Sequence, residues 1–167
     1  DKAESRGLGD VYKRQEPELA NVREFIRSKI FKFAREIMCS KDEVIITQSW
    51  VNKSGKGESH HEHVHPNSMI SGVWYPVINE QLPPIQFRSR AQRDIALSNE
   101  KYNNFNSATF LLPMKMGELI IFPSNLTHSV PANQSDTERI SLSFNTWVKG
   151  SLGDINSLTY LPLDRCV

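Results

Sequence analysis

The chain has 167 residues, 38% of them hydrophobic and 23% charged, an ordinary globular composition at a length that suits one domain. Twenty Lys and Arg residues against nineteen Asp and Glu residues leave a net charge of +1, with no basic stripe or acidic block. The sequence therefore carries no signal for a nucleic-acid partner or a membrane surface, and no apolar run approaches the roughly 18 residues that cross a bilayer. Two cysteines, Cys39 and Cys166, do not suggest a disulfide framework and predict a reducing, cytoplasmic setting.

Residues 1–15 differ in character from the rest of the chain. They are rich in charge and glycine and show no hydrophobic periodicity, which predicts a disordered tail. The run RGLGDVYKRQ within them also resembles a translated junction, so a cloning or assembly scar is the second interpretation. We expect residues 16–167 to form a single domain.

The first predicted element is a helix over residues 17–38. Pro17 suits a first helical position, and apolar residues recur at steps of three and four, with charges on the opposite face. The apolar stripe consists of Leu19, Val22, Ile26, Ile30, Phe33 and Ile37. This pattern predicts a helix that packs on a sheet, and we assign it no chemistry.

From residue 43 the period of hydrophobicity changes to two, which predicts β-strands. The predicted segments are 43–52, two strands joined by a turn within 60–78, then 85–88, 108–113, 118–123, 127–131 and 139–148. Residues 89–106 are polar and are predicted to form a long surface loop. The chain after Gly150 is predicted to be irregular. One helix followed by about seven short strands predicts a mainly β domain, either a sandwich or a barrel.

The histidines are the most informative residues. Four of the five lie within six residues, and the fifth is His128. The four are His60, His61, His63 and His65. On a regular strand His63 and His65 share one face, with His61 and Asn67 in line, whereas His60 and Glu62 share the other face. Either pair offers half of a metal site, which His128 would complete, and imidazole suits iron, zinc, copper or nickel.

A polar face follows on the last long predicted strand. Alternation places Arg139, Ser141, Ser143 and Asn145 together, opposite an apolar face. One interpretation is the solvated outer face of an antiparallel strand. The other is a face turned toward the metal, where the guanidinium of Arg139 and the hydroxyl of Ser141 suit a dicarboxylate.

Three segments, HVHPNSMISGVWY (63–75), GELIIFPSNLTHSV (117–130) and ERISLSFNTW (138–147), resemble the 2-oxoglutarate/iron(II) oxygenases of marine bacteria and phages, as does SWVN (49–52). The similarity covers roughly residues 43–149. The resemblance implies a double-stranded β-helix, or jelly-roll, core with one N-terminal packing helix. It also implies an enzyme that uses iron(II), 2-oxoglutarate and dioxygen, and that hydroxylates an unidentified substrate with succinate and carbon dioxide as coproducts.

The resemblance also implies roles for particular residues. In the wider superfamily a His-x-Asp/Glu pair and a distal histidine hold iron, and a later arginine pairs with the far carboxylate of 2-oxoglutarate. His128 matches the distal histidine, and Arg139 with Ser141 matches the arginine motif. The first pair departs from the pattern, since His63 and His65 include no carboxylate.

An alternative register, His60 with Glu62, would restore the carboxylate to the first pair. The run that follows His65 matches the family best, so we prefer His63 and His65. Three more residues, Asn67, Tyr75 and Asn145, are candidates to contact the cosubstrate or the substrate, although a structural role is favoured for each. Gly72 is expected to allow close approach between strands.

Two other functions remain open at the level of sequence. One is a cupin-like metal enzyme that does not use 2-oxoglutarate, and the other is a non-catalytic jelly-roll module that binds a metal. The fold does not choose among them, because jelly rolls host many functions. The substrate, small-molecule or peptidyl, is not indicated. A homodimer through the helix or a sheet edge is also left open.

Overall fold

Two antiparallel sheets pack face to face to form the body of the protein. The computed structural model describes residues 19–77, 81–89, 98–103 and 106–163, together with the backbone of residues 4–6. The strands are β1 (Glu4–Arg6), β2 (Glu43–Ser54), β3 (His60–His63), β4 (Ile70–Trp74), β5 (Ile85–Arg88), β6 (Thr109–Leu112), β7 (Leu119–Pro123), β8 (His128–Val130), β9 (Arg139–Lys149), β10 (Ser151–Leu152) and β11 (Leu161–Pro162).

The order of the strands is that of a jelly roll. The larger sheet has the order β1-β2-β9-β4-β7, and the smaller one has the order β3-β8-β5-β6. Strands β2 to β9 thus supply two four-stranded sheets, and β1 extends the larger one at its edge. Apolar side chains from both sheets fill part of the space between them. This inner core consists of Val73, Tyr75, Ile85, Phe87, Ile120 and Phe122.

One helix covers the outer face of the larger sheet. It comprises α1 (Ala20–Lys32) and a π-helical turn, Phe33–Ile37. Ile26 and Ile30 are buried against Phe144 of β9. The predicted single helix over 17–38 is thus shorter than expected in its described part and changes its winding at Phe33. Residues 17 and 18 lie outside the described residues.

The π-helical turn explains why the predicted apolar stripe does not continue to its end. The backbone N–H of Met38 donates to the carbonyl of Phe33 at 3.0 Å, a separation of five residues instead of four. The turn shifts the helical phase, so that Ala34 is buried whereas Ile37, which we placed on the packed stripe, is 69% exposed.

A bulge in β2 decides which of its side chains face the interior. The pairing of β2 with β9 shifts between Ile46 and Gln48, so Thr47 is an extra residue. Before the bulge, Val44 and Ile46 pack with the helix. After it, alternate residues from Gln48 to Ser54 lie opposite the polar face of β9. The bulge thereby turns the second half of β2 toward the space between the sheets.

Gly72 lies in the middle of β4, between β7 and β9. A Cβ atom added there would overlap the ring of Phe144 and would stand 2.9 Å from the carbonyl oxygen of Ile120. The expected close approach between strands at Gly72 is therefore confirmed.

The remaining predictions concern the segment after Gly150, the 89–106 loop and the N-terminal tail. The segment after Gly150, predicted to be irregular, instead forms a small antiparallel pair of strands, β10 with β11. Residues 98–103, within the predicted 89–106 loop, contain no helix or strand. Residues 90–97 and 104–105 of that loop, and residues 1–3 and 7–15 of the predicted tail, lie outside the described residues. No helix in the described part of the chain is long and apolar enough to span a membrane.

Candidate metal centre and buried arginine

Three of the five histidines converge on one point. His63 ends β3 and His128 begins β8, and their Cα atoms are paired across these two strands. His65 lies in the connection to β4. The ligand nitrogens of the three rings all lie within 4.8 Å of one another, and the Nε2 atoms of His63 and His65 are 3.2 Å apart. Two nitrogens bound about 2.1 Å from one ion stand roughly 3.0 to 3.4 Å apart, so the spacing suits a metal.

Each of the three rings is held by a hydrogen bond from Nδ1 to an oxygen acceptor. The acceptors are the His61 carbonyl (2.8 Å from His63), Asn145 Oδ1 (2.7 Å from His65) and the Leu126 carbonyl (2.9 Å from His128). Because these oxygen atoms accept, Nδ1 is assigned as the donor in each ring, and Nε2 is the nitrogen that has a lone pair in the neutral form. The lone pairs of His63 and His65 face each other at short range and repel unless a cation lies between them. The donor set therefore fits a metal ion.

Burial keeps these ligands in the form that binds metals. It lowers the pKa of His128 to about 4, although a hydrogen bond to the Leu126 carbonyl opposes the shift. Burial also lowers the pKa of His65, and the hydrogen bond to Asn145 opposes that change. Imidazole binds a metal only when neutral, so both residues are ready to bind at neutral pH.

The alternative first pair, His60 and Glu62, is not brought together. We expected regular alternation to place these two on one face, with His61 in line with His63. The β3–β8 pairing instead contains an irregularity between His60 and His63, and both of these side chains line one cavity. Glu62 accepts a hydrogen bond from Arg88 Nε at 2.8 Å. Among the described residues, the histidine cluster therefore includes no carboxylate, and the geometry favours His63 and His65.

A buried arginine lines the same cavity. Arg139 is only 3% exposed. Its Nη2 donates to Tyr75 Oη at 3.2 Å and its Nη1 to Ser141 Oγ at 3.4 Å, whereas its Nε has no protein partner. Burial lowers the pKa of Arg139, and it raises the pKa of Tyr75 to about 12, so the phenol stays neutral. A buried cation without a carboxylate partner in the described part of the chain calls for an anionic ligand.

The polar face of β9 points inward. Arg139, Ser141, Ser143 and Asn145 are all buried, whereas alternate residues such as Phe144 pack against the helix on the other side of the sheet. The interpretation of this face as a solvated outer surface is therefore wrong. Its residues form a polar wall inside the protein.

The structure places the other three candidate residues in different surroundings. Tyr75 is fully buried and contacts Arg139, as described above. Asn145 contacts the candidate metal ligand His65 and donates its own amide N–H to Gln48 Oε1 at 3.1 Å. Asn67 is exposed in the turn before β4, where its backbone takes a φ of 56°. The structure places Asn67 in a turn and not in the lining of the cavity.

Among the further side chains that line the cavity, three carry a hydrogen-bonding group and were not singled out from sequence as site residues. These are Trp50, Asn52 and Ser143. The first two come from the half of β2 that follows the bulge, and they lie opposite Ser143 and Ser141 of β9. A strand pattern alone gave no reason to place them beside Arg139, because the position of the bulge decides which face they take.

A family model described as "Putative 2OG-Fe(II) oxygenase", where 2OG is 2-oxoglutarate, matches residues 48–145, more than half of the chain. The chain belongs to the 2OG-Fe(II) oxygenase family. The matched region contains all the histidines, Arg139 and Ser141. No curated protein sequence matches the chain.

Several solved structures share the fold of this chain. A 2OG-Fe(II) oxygenase family oxidoreductase from Burkholderia pseudomallei aligns with a TM-score of 0.55 and 15% identity, over 77% of this chain and 54% of that one. A prolyl-4-hydroxylase from Pseudomonas putida aligns with a TM-score of 0.54 and 13% identity, over 81% and 67%. The epimerase SnoN, solved with Fe3+, alpha ketoglutarate and nogalamycin RO, aligns with a TM-score of 0.52 and 14% identity, over 76% and 59%.

These likenesses confirm the predicted double-stranded β-helix fold. This chain spans about half to two thirds of the length of these three proteins. The family's name gives iron(II) and 2-oxoglutarate as its cofactor and cosubstrate, and the residues present fit both. The three imidazole Nε2 atoms suit the metal, and the guanidinium of Arg139, whose Nε has no protein partner, suits a carboxylate.

Proposed function

We propose that the protein is an iron(II)- and 2-oxoglutarate-dependent oxygenase that hydroxylates an unidentified substrate, with succinate and carbon dioxide as coproducts. One observation carries the proposal. A cluster of histidine nitrogens and a buried arginine without a carboxylate partner among the described residues line a single cavity. A metal ion and a dicarboxylate that binds it would satisfy both groups at once.

The side chains divide the work of binding. His63, His65 and His128 would hold the iron through Nε2. Arg139 would bind the far carboxylate of 2-oxoglutarate, because a guanidinium donates two parallel hydrogen bonds to a carboxylate. Tyr75 and Ser141 accept hydrogen bonds from the same guanidinium and so fix its plane. Iron, when bound, supplies the activation of dioxygen that is coupled to the oxidation of 2-oxoglutarate.

The surrounding side chains limit access of water to the site. Phe122 lies edge-on to His128, with ring centroids 4.8 Å apart, and to Phe87, at 5.1 Å. Both phenylalanines are at most 5% exposed. An apolar wall of this kind strengthens the attraction between Arg139 and a bound carboxylate, since it lowers the local dielectric constant.

The charges also agree with the proposed ligands. Three neutral histidines leave the full charge of +2 on iron(II), and 2-oxoglutarate carries two negative charges. One carboxylate of the cosubstrate would offset one of the metal's two charges, and the far carboxylate would offset the charge of Arg139, so the loaded site would keep one positive charge. A metal held by a carboxylate ligand would carry one positive charge less.

Several narrower statements belong to the same proposal. We place the protein with the oxygenases of marine bacteria and phages because the quoted motifs resemble theirs. We place it in a reducing, cytoplasmic compartment because Cys39 is a free, exposed thiol. The substrate is proposed to be a small molecule or a peptidyl residue, with no nucleic-acid or membrane partner. Self-association as a homodimer is included as a proposal without a defined interface.

The test is an anaerobic titration of 2-oxoglutarate into the iron(II)-loaded protein, followed by the metal-to-ligand charge-transfer band in the visible spectrum. We expect a saturable band in the wild type, its loss in His128→Ala, and weaker binding of 2-oxoglutarate in Arg139→Ala. Glu62→Gln is the matched control, because it changes the carboxylate of the alternative pair, and it should leave the band unchanged.

Iron binding without a band would contradict the 2-oxoglutarate assignment and would favour the cupin-like metal enzyme. Iron and 2-oxoglutarate binding without succinate formation, over a broad substrate panel, would favour the non-catalytic module. Loss of the band in Glu62→Gln would instead assign the metal to the alternative first pair, His60 and Glu62.

A further inference from the structure

The cavity contains a second polar group that the protein itself leaves unpaired. Asn52 is 5% exposed, and its amide makes one hydrogen bond, from Nδ2 to Ser143 Oγ at 3.0 Å. Among the residues that the structure describes, two buried side-chain polar atoms lack a partner, Asn52 Oδ1 and Arg139 Nε. Both residues line the same cavity. A buried polar group without a partner is unfavourable and calls for an explanation in a native protein.

The pairing of β2 with β9 places Asn52 next to the position of Arg139, one step along the ladder toward Asn145. On the β2–β9 ladder, Ser54 lies opposite Arg139 and Asn52 lies opposite Ser141. Farther along the same ladder, Gln48 lies opposite Asn145, which hydrogen-bonds His65. Asn52 therefore stands between the arginine and the histidines, on the strand that faces the arginine's own strand.

The amide can present a donor to this cavity. The Ser143 hydroxyl is both a donor and an acceptor, so it can bond either end of the Asn52 amide. When Ser143 donates to Oδ1, the Nδ2 group is released and its N–H bonds face a ligand. The oxygen and nitrogen of an asparagine amide are assigned from such networks, and an anion in the cavity favours the orientation with the N–H groups inward.

A purely structural asparagine in the same protein looks different. Asn133 is fully buried, and its Nδ2 donates to the carbonyls of Ser54 at 3.2 Å and Thr137 at 2.9 Å. Its Oδ1 accepts a hydrogen bond from the backbone N–H of Ser135 at 3.0 Å. Both ends of that amide are satisfied by the protein. Asn52 is also buried, but the protein satisfies only one end of its amide, because Oδ1 has no partner.

We propose that Asn52 is a cosubstrate-binding residue, whose amide donates a hydrogen bond to a carboxylate oxygen of bound 2-oxoglutarate on the side of the cavity that Arg139 also lines. The inference rests on the proposed function and adds to it a third contact besides the metal and the arginine. It also explains why the bulge at Thr47 matters, since a regular β2 would turn this amide away from the cavity.

The experiment is a calorimetric titration of 2-oxoglutarate into the protein loaded anaerobically with iron(II). We expect Asn52→Ala to raise the Kd for 2-oxoglutarate about tenfold, the size expected for a hydrogen bond to a charged group, and to leave the affinity for iron(II) within twofold of wild type. Asn52→Leu, which keeps the branched shape of the side chain without its polar atoms, replaces Asn52→Ala if that variant does not fold. Ser135→Ala is the control, because Ser135 is buried and polar but does not line the cavity.

The outcomes separate the two proposals. A Kd in Asn52→Ala within twofold of wild type overturns the role of Asn52 and leaves the proposed function standing. A wild-type protein that binds iron(II) but not 2-oxoglutarate overturns both. An equal rise of the Kd in Ser135→Ala also overturns the role of Asn52, because the effect would then be a general one of destabilisation.

A second ligand identifies the end of the cosubstrate that Asn52 contacts. The ligand is 2-oxopentanoate, which lacks the carboxylate that Arg139 is proposed to bind. If the effect of Asn52→Ala disappears with this ligand, the amide binds the far carboxylate. If the effect persists, it binds the 2-oxo acid end. Either result supports the proposal.

Discussion

At the scale of single residues, the centre depends on side chains that hold the ligands as much as on the ligands themselves. Asn145 shows this most clearly. Its Oδ1 accepts hydrogen bonds from His65 Nδ1 at 2.7 Å and from Ser71 Oγ at 2.8 Å. Ser71 in turn lies 2.8 Å from Ser124 Oγ. Asn145 therefore helps to fix the tautomer and the orientation of His65, a proposed metal ligand.

The first prediction concerns this positioning role. Asn145→Leu should weaken binding of iron(II) about 10- to 100-fold, because the ring of His65 loses one of the two oxygens near its Nδ1 and keeps only Ser71 Oγ, at 2.8 Å. Asn145→Asp should restore tight binding, since a carboxylate accepts the same hydrogen bond. The measurement is a competition titration of iron(II) against a chelating dye. Equal affinity in Asn145→Leu and wild type would show that the ring is held by its other contacts.

The second prediction concerns the cost of the buried arginine. Arg139→Met should raise the free energy of unfolding of the metal-free protein by about 1 to 3 kcal/mol, because it removes a buried charge that has no carboxylate partner in the described part of the chain. The same variant should lose its affinity for 2-oxoglutarate. Urea unfolding measures the stability, and Arg88→Met, at an exposed ion pair with Glu62, is the control and should leave it nearly unchanged.

A metal-free Arg139→Met protein that is less stable than wild type would contradict this prediction. It would mean that the hydrogen bonds to Tyr75 and Ser141 outweigh the desolvation of the guanidinium.

At the scale of elements, the approach of β4 to its neighbours depends on one residue without a side chain. Gly72 faces the ring of Phe144, which also packs against Ile26 and Ile30 of the helix. The glycine thus lets a large side chain join the sheet to the helix. Any larger residue would displace either the ring or the backbone of β7.

The third prediction follows from this contact. Gly72→Ala should lower the free energy of unfolding by about 1 to 3 kcal/mol, the usual effect of overpacking a core. Gly55→Ala is the matched control, because its added Cβ would approach no atom more closely than 3.7 Å. Thermal unfolding of the two variants measures the difference. Equal midpoints would show that the ring of Phe144 can move aside without loss.

The sequence predicted most of the elements because each follows a simple period. Alternation located β5 at residues 85–88 as observed, and the runs around β7 and β9 within one or two residues. The deviations arise where the period is broken. The π-helical turn exposes Ile37, and the bulge at Thr47 turns Asn52 inward. Neither break has a sequence signal as clear as alternation, because each depends on pairing with distant residues.

The candidate site was predictable for a similar reason. The residues that a motif identifies, His63, His65, His128 and Arg139, are brought together. Asn67 belonged to the same motif, yet it takes a left-handed conformation in an exposed turn. Spacing along a strand does not say where the strand ends, and β3 ends at His63.

At the scale of the whole molecule, the space between the two sheets has an apolar part and a polar part. One part is an apolar core that includes Val73, Phe87 and Phe122, and the other is lined by histidines and by the polar wall of β9. The polar part is buried and lacks partners for some of its groups. The metal-free protein therefore carries an unfavourable interior that its ligands would relieve, as is common where a protein gives up stability for function.

The fourth prediction concerns how this interior responds to acid. Burial lowers the pKa of both His128 and His60 from 6.5 to about 4. Above pH 6.5 these rings are neutral in the folded and the unfolded chain. Between about pH 6.5 and 4 the unfolded chain binds protons that the folded one does not, so the unfolding free energy of the metal-free protein should fall as the pH falls through this range. The contribution of His128 is at most roughly 3 kcal/mol.

Thermal unfolding of the metal-free protein at pH 7.5, 6 and 5 measures this dependence. His128→Gln provides the comparison, because it keeps a polar side chain but has no proton to bind, and its midpoint should fall less steeply with pH than that of wild type. A wild-type midpoint that is unchanged or higher at pH 5 would show that the folded protein accepts these protons. The rings would then be accessible to water, and the neutral state that the metal requires would depend on the pH of the solution instead of on burial.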